Sequence, residues 1–307
     1  MRDFVIKRLR RAPIIEPLWD EYERMLAARN AALAERDAAL IERDEMRAIV
    51  TRRRRPQHLL YAVPREVNNL AECDFNHTMD IPGYGTVVGD WDLRQDPGRY
   101  LGNTCFAGKR VLEVGPASGF LSFYMESKGA SVVSIDVDRA VDIVPYTGVN
   151  EQELKREFVH SQKRVRNGYW LAHRAMNSQA RVHYESGYNI PSELGMFDIG
   201  ILSCVLLRSV NPTRIIEQVA RLTTHTMIIV DMFHDGANNL SRTIELYPTA
   251  ENGQATTWWR FSGGFLTEML KIVGFPNVRI SESTQYYRGH PETLHTVVGE
   301  RSAPQAC

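Results

Sequence analysis

The sequence has no net charge and no long apolar run, and each absence excludes a class of protein. Lysine plus arginine and aspartate plus glutamate both number 37, so a broad basic surface for nucleic acid is not expected, although a local patch is compatible with the composition. No apolar run has the length of a membrane span. The first residues, MRDFVIKRLRRAP, are basic but have no apolar signal-peptide core, so we interpret them as solvated.

Cysteine is also scarce. The four residues Cys73, Cys105, Cys204 and Cys307 form no CxxC pair, so we expect reduced thiols and a cytoplasmic protein. Cys73 and His77 are the only nearby pair of soft metal ligands, and a metal site needs more than two. No metal is therefore predicted.

A seven-residue repeat, RMLAARN-AALAERD-AALIERD, occupies residues 24–44. Its alanine, glutamate and arginine content predicts a helix over about residues 16–50. One leucine recurs per heptad while the second seam position is polar, so this coiled-coil-like helix could pair in a homo-oligomer, dock on its own chain or act as a spacer. Arg52–Arg55 and Pro56 then end it. The arginines are either a phosphate contact or a solvated linker.

From Lys109 onward, apolar strands alternate with amphipathic helices, which predicts an α/β fold with a doubly wound, Rossmann-like parallel sheet. We expect seven strands, the last of them antiparallel because two strands follow the final helix directly. The predicted strands are RVLEV, SVVSID, ARVHYES, MFDIGILS, TMIIVD, VRISES and LHTVVGE, with helical segments at FLSFYMESKG, about 140–178, PTRIIEQVARL and GGFLTEMLKIVGF.

The turn VLEVGPASGF follows the first of these strands. It has Gly115 and Gly119 but not the three glycines of a dinucleotide site, and Pro116 removes a backbone N–H that a phosphate would use. Asp136 ends the second strand, 21 residues after Gly115, where an acid binds ribose hydroxyls. Glu113 adds a negative charge suited to a cation. A ribose, no phosphate and a positive amino group describe S-adenosylmethionine.

These motifs resemble those of the class I S-adenosylmethionine-dependent methyltransferases, and the resemblance covers about residues 109–300. It implies that Gly115 and Gly119 line the methionine part, that Asp136 holds the ribose, and that SGYNIP contacts adenine. Ser203 and Cys204 would face the sulfonium. The complete set of predicted cofactor-binding residues is Trp91, Glu113, Gly115, Ala117, Gly119, Asp136, Val137, Asp138, Tyr188, Asn189, Ser203 and Cys204.

Three further stretches, TVVGDWD, VLLRSVNP and TTWWRFSGGFLTEMLKIVGF, resemble the tRNA wobble-uridine carboxymethyltransferase family. The resemblance implies a carboxylated S-adenosylmethionine held by basic and tyrosyl side chains. This sequence departs from the pattern, with Asp92 in place of a lysine, Leu207 in place of a tyrosine and no lysine near Glu72. An aspartate would repel a ligand carboxylate, so we expect plain S-adenosylmethionine.

The acceptor side is predicted from residues near the strand ends. His77 and Asp80 lie in an irregular segment that could close over the site, and His77 is the first candidate for a general base. Asp231 is the second, with His234 shortly after it, and Arg208 could orient an anionic acceptor or pair with an acid. The aromatic group Trp258, Trp259 and Phe261 could stack on an acceptor or belong to the core.

The sequence thus predicts methyl transfer to a hydroxyl of a sugar, glycan or small metabolite. A tRNA-modifying (carboxy)methyltransferase and a non-catalytic coiled-coil interaction protein with a vestigial domain are the alternatives. The predicted organisation is a basic segment and heptad helix at 1–55, a linker and lid at 56–108, a methyltransferase domain at 109–301 and a tail at 302–307.

Overall fold

The computed structural model describes residues 17, 20–29, 32, 60–137, 150–232, 241–253 and 256–301. The chain forms two units, Met1–Leu59 and Leu60–Cys307. In the first, residues 20–29 are helical, within the helix predicted at 16–50. Most of the heptad repeat and Arg52–Arg55 lie outside the described residues, so the coiled coil stays a prediction. None of the described helices is long and apolar enough to cross a membrane.

The second unit is built on a mixed eight-stranded sheet. Its strands are β3 (Trp91–Asp92), β4 (Arg110–Val114), β5 (Ser131–Asp136), β6 (Arg181–Tyr184), β7 (Phe197–Ser203), β8 (Thr223–Asp231), β11 (Asn277–Tyr287) and β12 (His290–Glu300). They lie in the order β3-β11-β12-β8-β7-β4-β5-β6. Strands β4 to β8 are mutually parallel, and β12 is antiparallel to both of its neighbours. The predicted fold class and antiparallel last strand are confirmed.

The predicted number of seven strands was wrong by one. The additional strand, β3, pairs with the end of β11, where Asp92 and Trp91 lie opposite Tyr286 and Tyr287. Two residues are too few for a periodic pattern, so no sequence signal announces this strand.

The described part of the same unit contains five α-helices: α1 (Pro97–Tyr100), α2 (Phe120–Ser127), α3 (Glu151–Ala175), α4 (Pro212–Leu222) and α5 (Gly263–Ile272). Side-chain caps begin several of them, such as Asn150 on α3, Asn211 on α4 and Ser262 on α5. The helix predicted at about 140–178 is α3, while residues 138–149 are not described.

The described part of the predicted linker and lid at 56–108, residues 60–108, contains ordered elements. Strands β1 (Met79–Ile81) and β2 (Gly85–Val87) form an antiparallel hairpin, followed by β3 and α1. A second small hairpin, β9 (Ile244–Leu246) with β10 (Trp259–Phe261), precedes α5. These strands are only three residues long, which is too short for single-sequence periodicity to reveal.

Apolar side chains fill both faces of the sheet. Along β4, Val111 packs on one face while Leu112 and Val114 pack on the other. Cys73 and Cys204 are free thiols.

The strand order reverses at β4. Strand β5 lies on one side of it and β7 on the other, so the connections leave β4 in opposite directions. A crevice opens at such a switch point, beyond the carboxyl ends of the strands. Here Val114, Asp136 and Ser203 are the last residues of β4, β5 and β7.

Candidate functional site

The turn after β4 approaches its neighbours so closely that no side chain fits at Gly115 or Gly119. Gly115 has a φ of 75°, and a Cβ there would lie 2.7 Å from Cγ2 of Val205. Its N–H donates to the carbonyl of Ile135 on β5 (2.8 Å). Ala117 also has a positive φ, 49°, and Gly119, at 93°, caps α2. Both glycines therefore satisfy backbone geometry, but only Gly115 lines the cavity described below, and Gly119 does not.

Glu113 faces away from this turn. It is 1% exposed, and its Oε2 accepts hydrogen bonds from the hydroxyls of Ser122 on α2 and Ser134 on β5 (the latter 2.8 Å). Burial raises the pKa of this carboxyl to about 7. Glu113 does not line the cavity described below. Its hydrogen bonds instead connect β4 to α2 and β5.

A cavity of about 1000 Å³ opens at the switch point. Its volume is at the upper end of the range for small-molecule sites. The elements that line it are the turn after β4 (Gly115, Pro116, Ala117), the ends of β5 (Asp136, Val137) and β7 (Ser203, Cys204), the segments 74–77 and 87–91, residues 185–188, and α3 (Phe158, Ser161, Gln162, Val165).

The end of β5 presents a carboxylate to this cavity. Asp136 is 8% exposed, and its Oδ1 accepts a hydrogen bond from the N–H of Val137 (2.9 Å). The carbonyl of Val137 is in turn held by Nη1 of Arg166 on α3 (2.7 Å). Tyr188 also lines the cavity, whereas Asn189 is exposed and outside the lining. Asp138 is not among the described residues.

At the end of β7, Ser203 and Cys204 both line the cavity, and the Ser203 hydroxyl shares a hydrogen bond with Tyr100. Cys204 has a positive φ of 49°, and burial raises the pKa of its thiol to about 12. Tyr100, only 2% exposed, lines the same wall. Sequence reasoning missed Tyr100 because it lies on a four-residue helix with no motif around it.

His77 and Trp91 belong to another part of the cavity wall. The His77 side chain is 8% exposed, and its Nδ1 has no hydrogen-bond partner among the described residues. Burial lowers the pKa of this imidazole to about 4, so it is neutral at neutral pH. Trp91 packs against Tyr287, with ring centroids 4.9 Å apart, and both His77 and Trp91 line the cavity.

The other predicted polar residues are divided between the cavity and its surroundings. Arg208 lines it, donates to Oγ1 of Thr256 (3.4 Å) and forms no ion pair with a described residue. Asp231 is fully buried beside the cavity without lining it, and burial raises its pKa to about 7. Asp80 lies outside the lining, with its side chain 65% exposed and paired with Arg94 (3.0 Å). Its position does not support the predicted catalytic role.

The aromatic group before α5 does not form a wall of the cavity. Phe261 is fully buried in the main core. Trp259 packs on that core and donates from its ring nitrogen to the carbonyl of Ser209 (2.8 Å), and Trp258 is half-buried outside the lining. Of this segment, Thr256 is the residue that reaches the cavity. Phe261 and Trp259 therefore belong to the core, which was the alternative to stacking on an acceptor.

Two of the three departures from the carboxymethyltransferase pattern, Asp92 and Leu207, lie outside the cavity lining. Asp92 is held by Arg94 through both carboxylate oxygens (2.9 and 2.8 Å), and Leu207 is 8% exposed within the core. Neither lines the cavity. Asp92 therefore has a neutralising partner, and repulsion of a ligand carboxylate by this side chain does not follow from its position.

Seven strands of the sheet lie in the spatial order β6-β5-β4-β7-β8-β12-β11, and β12 is antiparallel to both of its neighbours. This order is that of the class I S-adenosylmethionine-dependent methyltransferase fold. The cavity lies where that fold has its ligand crevice.

No protein-family model and no curated protein matches the chain. Similar solved structures include magnesium protoporphyrin IX methyltransferase from Synechocystis with S-adenosylhomocysteine (16% identity, 64% of this chain and 76% of that one, TM-score 0.43). The N-terminal domain of EvdMO1 with S-adenosylhomocysteine and D-fucose is another (19%, 74% and 91%, 0.45). A third is 1,6-didemethyltoxoflavin-N1-methyltransferase from Burkholderia thailandensis (14%, 67% and 76%, 0.44). At such identities the fold assignment rests on the strand order.

Proposed function

We propose that the protein transfers a methyl group from S-adenosylmethionine to a hydroxyl of a sugar, glycan or small metabolite. The observation that carries this proposal is the cavity at the switch point. One side of it combines the closely packed Gly115–Ala117 turn with the Asp136 carboxylate. Pro116 lacks an N–H that could donate to a phosphate, while the Asp136 carboxylate can accept hydrogen bonds from ribose hydroxyls. The donor set therefore fits a nucleoside without phosphates.

When bound, S-adenosylmethionine supplies a methyl group that its sulfonium activates. Gly115 and Ala117 would lie against its methionine part, Asp136 would accept hydrogen bonds from the ribose, and Tyr188 would contact the base. The side chains that line the cavity align the acceptor and exclude water, which are the main contributions of a protein to such a transfer.

His77 is the candidate for holding the acceptor proton. A hydroxyl needs a proton acceptor when it is methylated, and the neutral imidazole has a buried Nδ1 with no partner among the described residues at the cavity wall. The Arg208 guanidinium would orient an anionic group elsewhere on the acceptor, since no described carboxylate pairs with it.

Plain S-adenosylmethionine remains our proposal for the cofactor form. Neither of the positions where the carboxymethyltransferase family carries a lysine and a tyrosine, Asp92 and Leu207, reaches the cavity. These positions therefore provide no basic or tyrosyl group to bind an extra carboxylate. Mass analysis of any cofactor that co-purifies with the protein would decide between the two forms.

Calorimetric titration of the full chain with S-adenosylhomocysteine tests the proposal. We expect binding that Asp136→Asn weakens by roughly 10- to 100-fold, because a hydrogen bond to a charged group contributes about 1.5–3 kcal/mol. Glu217→Gln, which removes an exposed carboxylate on α4, should bind normally. Absence of binding by the unaltered protein, or equal affinity of the Asp136→Asn variant, would overturn the proposal.

The tRNA-modifying alternative depends on Arg52–Arg55, which lie outside the described residues. Salt-dependent tRNA binding that is lost when these arginines are replaced by alanine would support it. The alternative of a non-catalytic interaction protein predicts that the same titration detects no binding of S-adenosylhomocysteine.

A further inference from the structure

The cavity wall that carries His77 is a short strap, residues 74–78, which is fixed to α3 at one end. The N–H of Asp74 donates to the carbonyl of Arg164 (3.0 Å), and the two side chains form an ion pair (2.9 Å). The contact is close, since a Cβ on Gly168 would lie 2.5 Å from the carbonyl oxygen of Asp74.

The other end of the strap is paired with β3. Trp91 donates its N–H to the carbonyl of Asn76 (2.9 Å), and Thr78 donates to the carbonyl of Trp91 (2.7 Å). Gly89 passes directly over His77, where a Cβ would lie 2.4 Å from the His77 carbonyl carbon. These contacts fix the strap to β3 and Gly89, but not to the turn after β4 that the proposed function assigns to the cofactor, called the cofactor turn below.

The contact with the cofactor turn is made by the hydroxyl of Ser118. Its Oγ accepts hydrogen bonds from the N–H groups of both Asn76 (3.2 Å) and His77 (3.3 Å). Ser118 is fully buried, between Ala117 and Gly119 of the turn. One oxygen thus satisfies two adjacent backbone donors of the strap, and such donors are costly to bury unpaired.

We propose that Ser118 is a positioning residue that sets the place of His77 relative to the cofactor turn. This inference rests on the proposed function, because it takes the turn as the cofactor-binding side and His77 as the acceptor-binding side. The His77 ring also lies 6.0 Å from that of Phe120, the first residue of α2. A ligand that orders the turn would therefore order the strap as well, through Ser118.

Hydrogen exchange of the full chain, followed by mass spectrometry, tests this coupling with S-adenosylhomocysteine as the probe. Ser118→Ala should speed exchange of the Asn76 and His77 amides roughly 10-fold or more, the loss expected for a hydrogen bond of about 1.5 kcal/mol, while peptides from β11 and β12 exchange as before. Adding the probe should slow exchange of the strap in the unaltered protein and not in Ser118→Ala. Ser118→Cys, which keeps the size with a weaker acceptor, should give intermediate rates.

Ser127→Ala is the control, because that hydroxyl lies at the end of α2, the helix that follows the turn, and donates to the carbonyl of Tyr124 (2.7 Å). It should leave exchange of the strap unchanged. Equal strap exchange in Ser118→Ala and the unaltered protein would overturn the inference, as would probe-induced protection that persists in Ser118→Ala. Failure of the unaltered protein to bind the probe would instead count against the proposed function, while the comparison without probe would still test the contact.

Discussion

Replacing Glu113 by glutamine should reduce the loss of folding stability that occurs as the pH rises. Burial raises the pKa of this carboxyl from its ordinary 4.5 to about 7, so the folded protein holds a proton that the unfolded chain releases. The stability that this proton contributes is fully present below pH 4.5 and is lost as the pH rises through 7. At about 1.4 kcal/mol per pKa unit, the loss is about 3 kcal/mol.

Glutamine keeps the shape of the protonated carboxyl and can still accept from Ser122 and Ser134. At about pH 5 the unaltered protein and Glu113→Gln should therefore unfold at similar urea concentrations. At about pH 8 the variant should be the more stable by up to about 3 kcal/mol, because it has no charge to bury. Urea unfolding at both values, with the change in unfolding free energy compared between proteins, measures this difference.

Other buried groups among the described residues titrate near this window, and Asp231 and His77 are two of them. The pKa of Asp231 is raised to about 7 and that of His77 is lowered to about 4, in each case by burial. Their contributions oppose each other and are shared by both proteins, so they cancel in the comparison. The exposed Glu217→Gln variant should follow the unaltered protein at both pH values. Identical pH dependence in Glu113→Gln and the unaltered protein would refute the reasoning.

Two further predictions concern stability and reactivity. Gly119→Ala should lower the free energy of unfolding by about 2 kcal/mol or more. The residue has a positive φ of 93°, and the added Cβ would lie 2.5 Å from the ring of Phe123. Gly83→Ala is the control, because Gly83 has a φ of 81° but nothing lies within 4 Å of an added Cβ. It should lower the free energy of unfolding by less, since only the backbone is strained. Equal losses of stability in urea unfolding would contradict the contribution of the clash with Phe123. Cys204 should be alkylated at about pH 8 roughly a thousandfold more slowly than a free cysteine, because a pKa of about 12 leaves little thiolate. Peptide mass analysis before and after unfolding measures this, and rapid labelling of the native protein would contradict it.

The order of strands and helices was readable in the sequence from Lys109 onward, since the strand and helix periods are local properties. The turn with Gly115 and Gly119 and the acid Asp136 could also be found, because a strand, a tight turn and the next strand end fix their relative positions with little dependence on the rest of the chain. These local patterns determined the class of fold and the proposed class of cofactor.

Side-chain surroundings were decided by the tertiary structure. Whether Glu113 faces a ligand or Ser122 depends on which side of β4 is covered by α2, and whether Asp92 carries a free charge depends on Arg94. Phe261 became core because the sheet and its helices enclose it. Burial, partners and pKa shifts arise from segments far apart in the chain. The contact that joins the two sides of the cavity, from Ser118 to His77 across 41 residues of sequence, exists only after the chain has folded.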